Sequence, residues 1–253
     1  MRIRLLASTT GTSPTYQFAM SYLINDCVAI DAGSIGFAPL PVQRAIQHVF
    51  LSHAHLDHVA SLPIFLDNVY KPGPEAVSLY AGKLTWDALQ QHLFNDVVWP
   101  DFVRLSLSES PFFHFQPIES DVAVSAAGLT IHPVSLDHVI STLGFIIDDG
   151  TSAVAIVSDT SPTDRIWEVA RSLPHLKAVF LEASFPNSLQ WLADKANHLT
   201  SKTFAAEVIK SGLHVPFYAM HIKPAFQEMI VAELRSSGLD ELQILEPDRE
   251  YEF

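Results

Sequence analysis

Three histidines and a carboxylate fall within six residues at His53-Ala54-His55-Leu56-Asp57-His58, just after the apolar run Val49-Phe50-Leu51. Imidazole and carboxylate are the side chains that hold zinc and similar cations. Four of them so close cannot all be core residues, because each buried polar group needs a partner. Metal binding is therefore the chemistry of this stretch. His138 in Ser135-Leu136-Asp137-His138, Asp159 in Ser158-Asp159-Thr160 and His221 each follow a strand-like apolar run, as His53 and His55 do. His53, His55, Asp57, His58, His138, Asp159 and His221 make seven donors, too many for one tetrahedral ion. Seven suit two divalent metals with one carboxylate between them, an arrangement about 3.5–4 Å across that recurs in phosphate ester hydrolysis. Zinc is the default for a His/Asp set, with manganese and iron as alternatives.

Other polar residues read more blandly. His198 stands at the expected start of a helix, where by itself it is a surface or capping histidine. Asp31 closes a short strand beside Gly33 and reads as a turn or cap residue. His48, His92, His114, His132, His175 and His214 have no ligand context and are assigned to structure or surface.

The elements that must position the donors follow from pattern. A strand is expected over 2–8, then a loop around Gly11 and Pro14, then short strands at 22–24 and 27–30 turning at Asn25-Asp26. A short helix at 43–47 leads into a strand at 48–52. Val59, Leu62, Phe65, Leu66 and Val69 then have helical spacing. Asp57 and His58 thus lie on a strand-to-helix loop, where side chains converge without burying backbone. A strand at 77–80 and a helix at 84–94 follow. The stretch 95–120 is irregular and rich in aromatics, and it belongs to an inserted arm at about 84–120. Such an arm packs on the core or on a second subunit, which leaves a homodimer open, or else forms a wall for a heterocyclic substrate group. Strands are expected at 121–125, 129–134, 143–148, 152–157 and 177–181, with a helix at 163–172. Helices at 200–211 and 224–236 and strands near 216–220 and 241–245 complete the chain. No solenoid repeat or disordered linker divides it, so 1–253 is expected to be one layered α/β domain with two sheets in the middle.

Composition narrows the classes. With 48% hydrophobic and 17% charged residues, the 253-residue chain can bury a sizeable core. The net charge of −13 repels polyanions, which argues against long nucleic acid as a partner. Cys27 is the only cysteine, so no intramolecular disulfide forms, and its apolar neighbours suggest a buried, inert thiol. The apolar run at the start is too short for a signal peptide, and no run of about 18 apolar residues exists. A cytoplasmic protein with no membrane partner is the expectation.

His53-Ala54-His55-Leu56-Asp57-His58 resembles the H-x-H-x-D-H signature of the metallo-β-lactamase fold. Within that superfamily, His55-Leu56-Asp57-His58-Val59-Ala60-Ser61-Leu62 resembles the class II 3′,5′-cyclic-nucleotide phosphodiesterases. Phe94-Asn95-Asp96, Trp99-Pro100, Glu182-Ala183-Ser184-Phe185-Pro186-Asn187, His198-Leu199-Thr200 and Met220-His221-Ile222-Lys223-Pro224 also resemble that family, over about residues 5–236. The likeness implies a four-layer αββα sandwich with two central mixed sheets flanked by helices. It implies one metal on His53, His55 and His138, another on Asp57, His58 and His221, and Asp159 as the bridge. It makes His198 a proton donor oriented by Glu182, and it counts Asp57 with these two as catalytic. The implied reaction is hydrolysis of cyclic AMP or cyclic GMP to the 5′-monophosphate. Asn95, Trp99 and Phe102 are the candidates for gripping the base. The same motifs resemble RNase Z more loosely, which leaves action on RNA ends as the alternative. A lactonase or thioesterase gives no role to the His198 segment, and a non-catalytic scaffold would be free to lose ligands that are all present here.

Overall fold

In the computed structural model, which describes residues 1–8, 16–106 and 109–253, the apolar runs pair edge to edge into sheets. The loop expected around Gly11 and Pro14 lies outside the described residues. The first half contributes strands β1 (Arg2–Leu5), β2 (Tyr22–Ile24), β3 (Val28–Ile30), β4 (His48–Leu51), β5 (Val77–Ala81) and β6 (Phe113–Pro117). Between them lie helices α1 (Leu40–Ala45), α2 (Leu56–Val59), α3 (Leu62–Val69), α4 (Lys83–His92) and α5 (Phe102–Leu105). The second half adds β7 (Val124–Ala126), β8 (Leu129–Leu136), β9 (Thr142–Asp148), β10 (Ala153–Val157), α6 (Arg165–Arg171) and β11 (Leu176–Glu182). It ends with α7 (Gln190–Ala196), α8 (Ser201–Ser211), β12 (Phe217–Met220), α9 (Gln227–Arg235), β13 (Leu242–Ile244) and β14 (Glu250–Glu252).

Among the described residues, one seven-stranded sheet has the order β14-β1-β2-β3-β4-β5-β6 and the other β13-β12-β11-β10-β9-β8-β7. The first is antiparallel as far as β3 and parallel from β3 to β6. The second is parallel from β13 to β10 and antiparallel from β10 to β7. Both are mixed. Their inner faces meet in one apolar layer in which Ile3, Tyr22 and Phe50 pack with Phe145, Ile156 and Phe180. Phe50 stacks on Tyr80 at 4.1 Å and meets Phe145 edge-on at 6.0 Å, the offset geometry that aromatic rings prefer. Outside the first sheet, Leu51 and Leu79 are covered by Leu62, Phe65 and Leu89 of the helices. Outside the second, Val179 and Leu181 are covered by Trp167, Phe204 and Ile230. Sheets covered on both faces read as continuous apolar runs, as the fully buried β10 does.

Several expectations shift. The strand expected at 2–8 ends at Leu5. The helix expected at 43–47 is α1, which opens with Leu40-Pro41, a position where proline's missing N–H costs nothing. The arm is less irregular than its sequence, since β6 joins the first sheet as its edge, where Pro117 is tolerated. Helix α7 was not expected, because its one buried residue, Ala193, gives no apolar period to read. Cys27 is half-buried, and burial pushes its thiol up, consistent with low reactivity. Among the described residues no helix is long and apolar enough to cross a membrane.

Candidate metal centre

Every donor sits where a strand of the sandwich has just ended. His53, His55, Asp57 and His58 follow β4, His138 follows β8, Asp159 follows β10 and His221 follows β12. Glu182 is the last residue of β11. Strand ends with loops beyond them carry side chains to one point while the ladders keep the backbone satisfied. The His53–His58 loop lies against the end of the β2–β3 hairpin: Met20 N–H donates to Asp57 O at 2.7 Å and Ala32 N–H to His58 O at 2.7 Å. Only glycine permits that approach, because a Cβ on Gly33 would lie 2.1 Å from Asp57 O. Asp31 and His221 both hold the left-handed backbone, at φ 62° and 56°. Such positions cost a non-glycine residue energy and cluster at functional sites.

The ring nitrogens are committed in a consistent way. His58 Nδ1 lies 2.7 Å from Asp31 Oδ2 and His138 Nδ1 lies 2.9 Å from Asn197 O. Both partners only accept, so each Nδ1 carries the proton. Ser52 Oγ donates to Asp31 Oδ2 at 2.8 Å, which leaves it to accept from His53 Nδ1 at 2.9 Å. Ser184 Oγ donates to His221 O at 3.2 Å and accepts from His221 Nδ1 at 2.7 Å. Each of the four Nδ1 atoms is thus committed to its partner, which leaves Nε2 as the atom that faces inward and that a cation would take in place of a proton. His55 is reversed: its Nδ1 is 3.1 Å from His53 Nε2 and 3.3 Å from His138 Nε2.

The inward atoms form two groups, each with its ligand atoms within 4.8 Å of one another: His53, His55, His138 and Asp159, and Asp57, His58, Asp159 and His221. Asp159 Oδ2 is 3.7 Å from His53 Nε2, 3.4 Å from His58 Nε2 and 4.0 Å from His138 Nε2. Its Oδ1 is 3.7 Å from His221 Nε2, and Asp57 Oδ2 is 3.1 Å from the same nitrogen. His58 Nε2 and Asp159 Oδ1 are buried with no hydrogen-bond partner in the protein. Orphaned polar atoms of this kind are costly, and a divalent cation between them satisfies both. The residues present fit metal ions in charge, atom type and direction.

The electrostatics agree. Burial alone would raise Asp159, but the histidines, His221 and His58 foremost, hold it well below the usual carboxylate range. Burial likewise opposes Asp57, and its hydrogen bond with His221 outweighs that and keeps it ionised. Burial pushes His53, His55 and His138 down toward the neutral form that ligates. His58 runs the other way, because Asp159 and Asp31 overcome its burial and raise it.

His198 stands at the rim of this cluster. Asn197 ends α7 in the left-handed conformation, and Thr200 caps α8 by accepting from Thr203 N–H. His198 is held between them, with Nδ1 2.7 Å from Glu182 Oε1 and Nε2 4.0 Å from Asp159 Oδ2. Glu182 also accepts from Thr160 N–H at 2.9 Å and Leu199 N–H at 3.2 Å. With its oxygens so engaged, Glu182 positions His198 rather than serving as a further ligand, although it lies within ligand range of His198 and His221. Burial lowers the His198 pKa, Glu182 outweighs burial, and the net shift is upward.

The structure thus brings together all seven sequence-predicted donors, with His198 and Glu182 beside them. The base-gripping candidates make their contacts within the arm. Asn95 Oδ1 accepts from Val97 N–H at 3.0 Å and Val98 N–H at 2.8 Å, closing a turn within the arm. Phe102 is 3% exposed, stacked on Phe112 at 4.0 Å and Phe94 at 5.7 Å, so it has no free face for a base. Trp99 is half-buried, edge-on to Phe102. Of the two readings of the aromatic stretch, these contacts favour an arm packed on itself and on the first sheet. The sequence reading also missed Asp31, Ser52 and Ser184. Their one signal is a small polar side chain at a strand end, which turns and caps share.

Comparison with known proteins places these observations in a family. The family model for class-II cAMP phosphodiesterases matches residues 38–195, more than half of the chain. A curated relative from Yersinia pestis, described as a probable 3′,5′-cyclic-nucleotide phosphodiesterase, is 28% identical over 229 residues, covering 79% of this chain and 63% of its own. The chain spans less than two thirds of the length of the curated relatives it matches. Among solved structures, unliganded yeast PDE1 superposes with a TM-score of 0.76 at 17% identity, covering 96% of both chains. The Bacillus subtilis metallo-β-lactamase fold protein YhfI gives 0.73 at 15% identity, covering 99% of this chain and 98% of its own. The αββα sandwich described above is thus the metallo-β-lactamase fold, and the chain belongs to the class-II cAMP phosphodiesterase family.

Proposed function

We propose that this protein is a two-metal phosphodiesterase that hydrolyses 3′,5′-cyclic nucleotides, cyclic AMP and cyclic GMP, to 5′-monophosphates. The observation that carries the reading is a pair of donor groups sharing Asp159, with His198 beside them, its Nδ1 2.7 Å from Glu182 Oε1. Family membership and the description of the Yersinia relative support the substrate class.

In this reading His53, His55 and His138 would hold one ion and Asp57, His58 and His221 the other, with Asp159 within reach of both. Paired divalent ions supply hydroxide near neutral pH and offset charge on phosphoryl oxygens. Zinc is the first choice, and manganese and iron follow. The side chains do the rest. Asp31, Ser52, Ser184 and the Asn197 carbonyl fix the ring orientations, a role whose loss commonly weakens metal sites. Asp57 and Asp159 stay ionised and anchor the cations. His198 gives the proton on Nε2 to the departing 3′ oxygen, and Glu182, accepting from Nδ1–H, keeps the ring turned and favours the protonated form. We read residues 1–253 as one catalytic unit of the cytoplasm. The arm's exposed Val97 and Val98 are the face we assign to a homodimer.

The test is product analysis. Protein loaded with a defined metal is incubated with cyclic AMP, cyclic GMP and a precursor tRNA. The 5′-monophosphates are the expected products. Cleavage of the tRNA with both cyclic nucleotides untouched would transfer the reading to RNA ends, and 3′-monophosphates would contradict the assignment of the leaving oxygen.

A further inference from the structure

We propose that the substrate's nucleobase lies in an apolar groove beside the first donor group, lined by Ala54, Leu84, Thr85, Ala88, Ile140 and Ser141. The inference rests on the cyclic-nucleotide reading and identifies where that site grips the base. The groove has a volume of about 290 Å³, near the lower end of the roughly 300–1,000 Å³ of ligand pockets. It suits a base, with ribose and phosphate outside it.

Its position follows from the chain. Ala54 lies between His53 and His55, and Ile140 is two residues after His138. The backbone that carries all three histidines of the first group therefore also walls the groove. Successive Cα atoms are about 3.8 Å apart, so Ala54 and Ile140 lie within roughly 4–8 Å of chain from the ligand residues His53, His55 and His138. A ribose spans a gap of that size between phosphate and base.

The lining gives the second argument. Leu84 is 64% exposed and Ile140 39% exposed, on the first turn of α4 and on the loop between β8 and β9. Two segments distant in sequence hold apolar side chains to one gap, a concave and mostly apolar lining with a few polar groups, as small-molecule sites have. A flat heterocycle has apolar faces to meet Leu84, Ala88 and Ile140, and polar edges to meet the hydroxyls of Thr85 and Ser141. A hydroxyl either donates or accepts, so the groove offers no fixed pattern that tells adenine from guanine. Cyclic AMP and cyclic GMP are expected within about tenfold of each other in kcat/KM.

The experiment uses Leu84→Asp and Ile140→Asp, both at exposed positions. An acidic residue in the first turn of α4 suits the helix dipole, so Leu84→Asp retains the fold. Substrates are cyclic AMP, cyclic GMP and methyl riboside 3′,5′-cyclic phosphate, which has the cyclic phosphate and no base. KM for both nucleotides is expected to rise about tenfold or more with kcat little changed, while the base-free substrate behaves as with wild type. An equal effect on all three substrates, or none on the nucleotides, overturns the base site. Conversion of a dimer to monomer with unchanged kinetics assigns the groove to a second copy and also overturns it. A wild type inactive on all three defeats the cyclic-nucleotide reading itself, which is distinguishable from an active wild type with indifferent variants.

Discussion

The two donor groups that meet at Asp159 are built on different principles. The first is three imidazoles, which burial keeps neutral, and His55 and His138 are only half-buried. The second carries its own carboxylate, Asp57, and has Asp31 behind His58, with His58 and His221 buried. A cation gains more from the carboxylate-rich, enclosed group, while the open group borders the apolar groove. Affinity is concentrated in one half of the centre and access in the other.

The largest effect is expected where the halves join. Asp159→Ala removes the carboxylate common to both groups, so turnover falls to background and metal content drops below that of wild type, as read by elemental analysis. Retention of both ions would mean that the groups are independent. Next comes His198→Ala, which leaves metal content unchanged and lowers kcat by about 10²–10⁴-fold. Full activity in that variant would remove the proton-donor role.

A smaller effect separates the halves directly. Asp31→Asn weakens the hydrogen bond that fixes His58, and an ion is expected to bind about 10–100-fold more weakly, with the greater loss at the Asp57–His58–His221 group. Chelator competition monitors this, and an equal loss at both groups would erase the contrast. The subtlest effect is on pH. His198 acts in its protonated form, which persists below its pKa, and Glu182 holds that pKa above the ordinary 6.5 despite burial. The rate is therefore sustained to higher pH than an unperturbed histidine allows and falls as pH rises through the raised value. Glu182→Gln should move this fall to lower pH at constant metal content, and an unmoved profile would place the limb on another group.

How much of this was legible depends on where the information lies along the chain. His53, His55, Asp57 and His58 declare themselves because they are neighbours in sequence. His138, Asp159 and His221 were legible as ligand types after strand-like runs, but their convergence depends on strand order, which local pattern does not carry. Asp31 shows the limit. Its positive φ fits the turn reading, yet β3 pairs in parallel with β4, Ile30 opposite Phe50, and this sets the Asp31 carboxylate beside Ser52 and His58. The arm was ambiguous for a related reason. Aromatic residues announce burial or binding alike, and only the packing of Phe102 between Phe94 and Phe112 decides for burial.

The central claim is that seven side chains make one centre for two ions. Metal stoichiometry of the purified wild type, loaded to saturation and freed of excess, tests it most directly. Two divalent ions per chain are predicted, and a plateau at one ion per chain would contradict it.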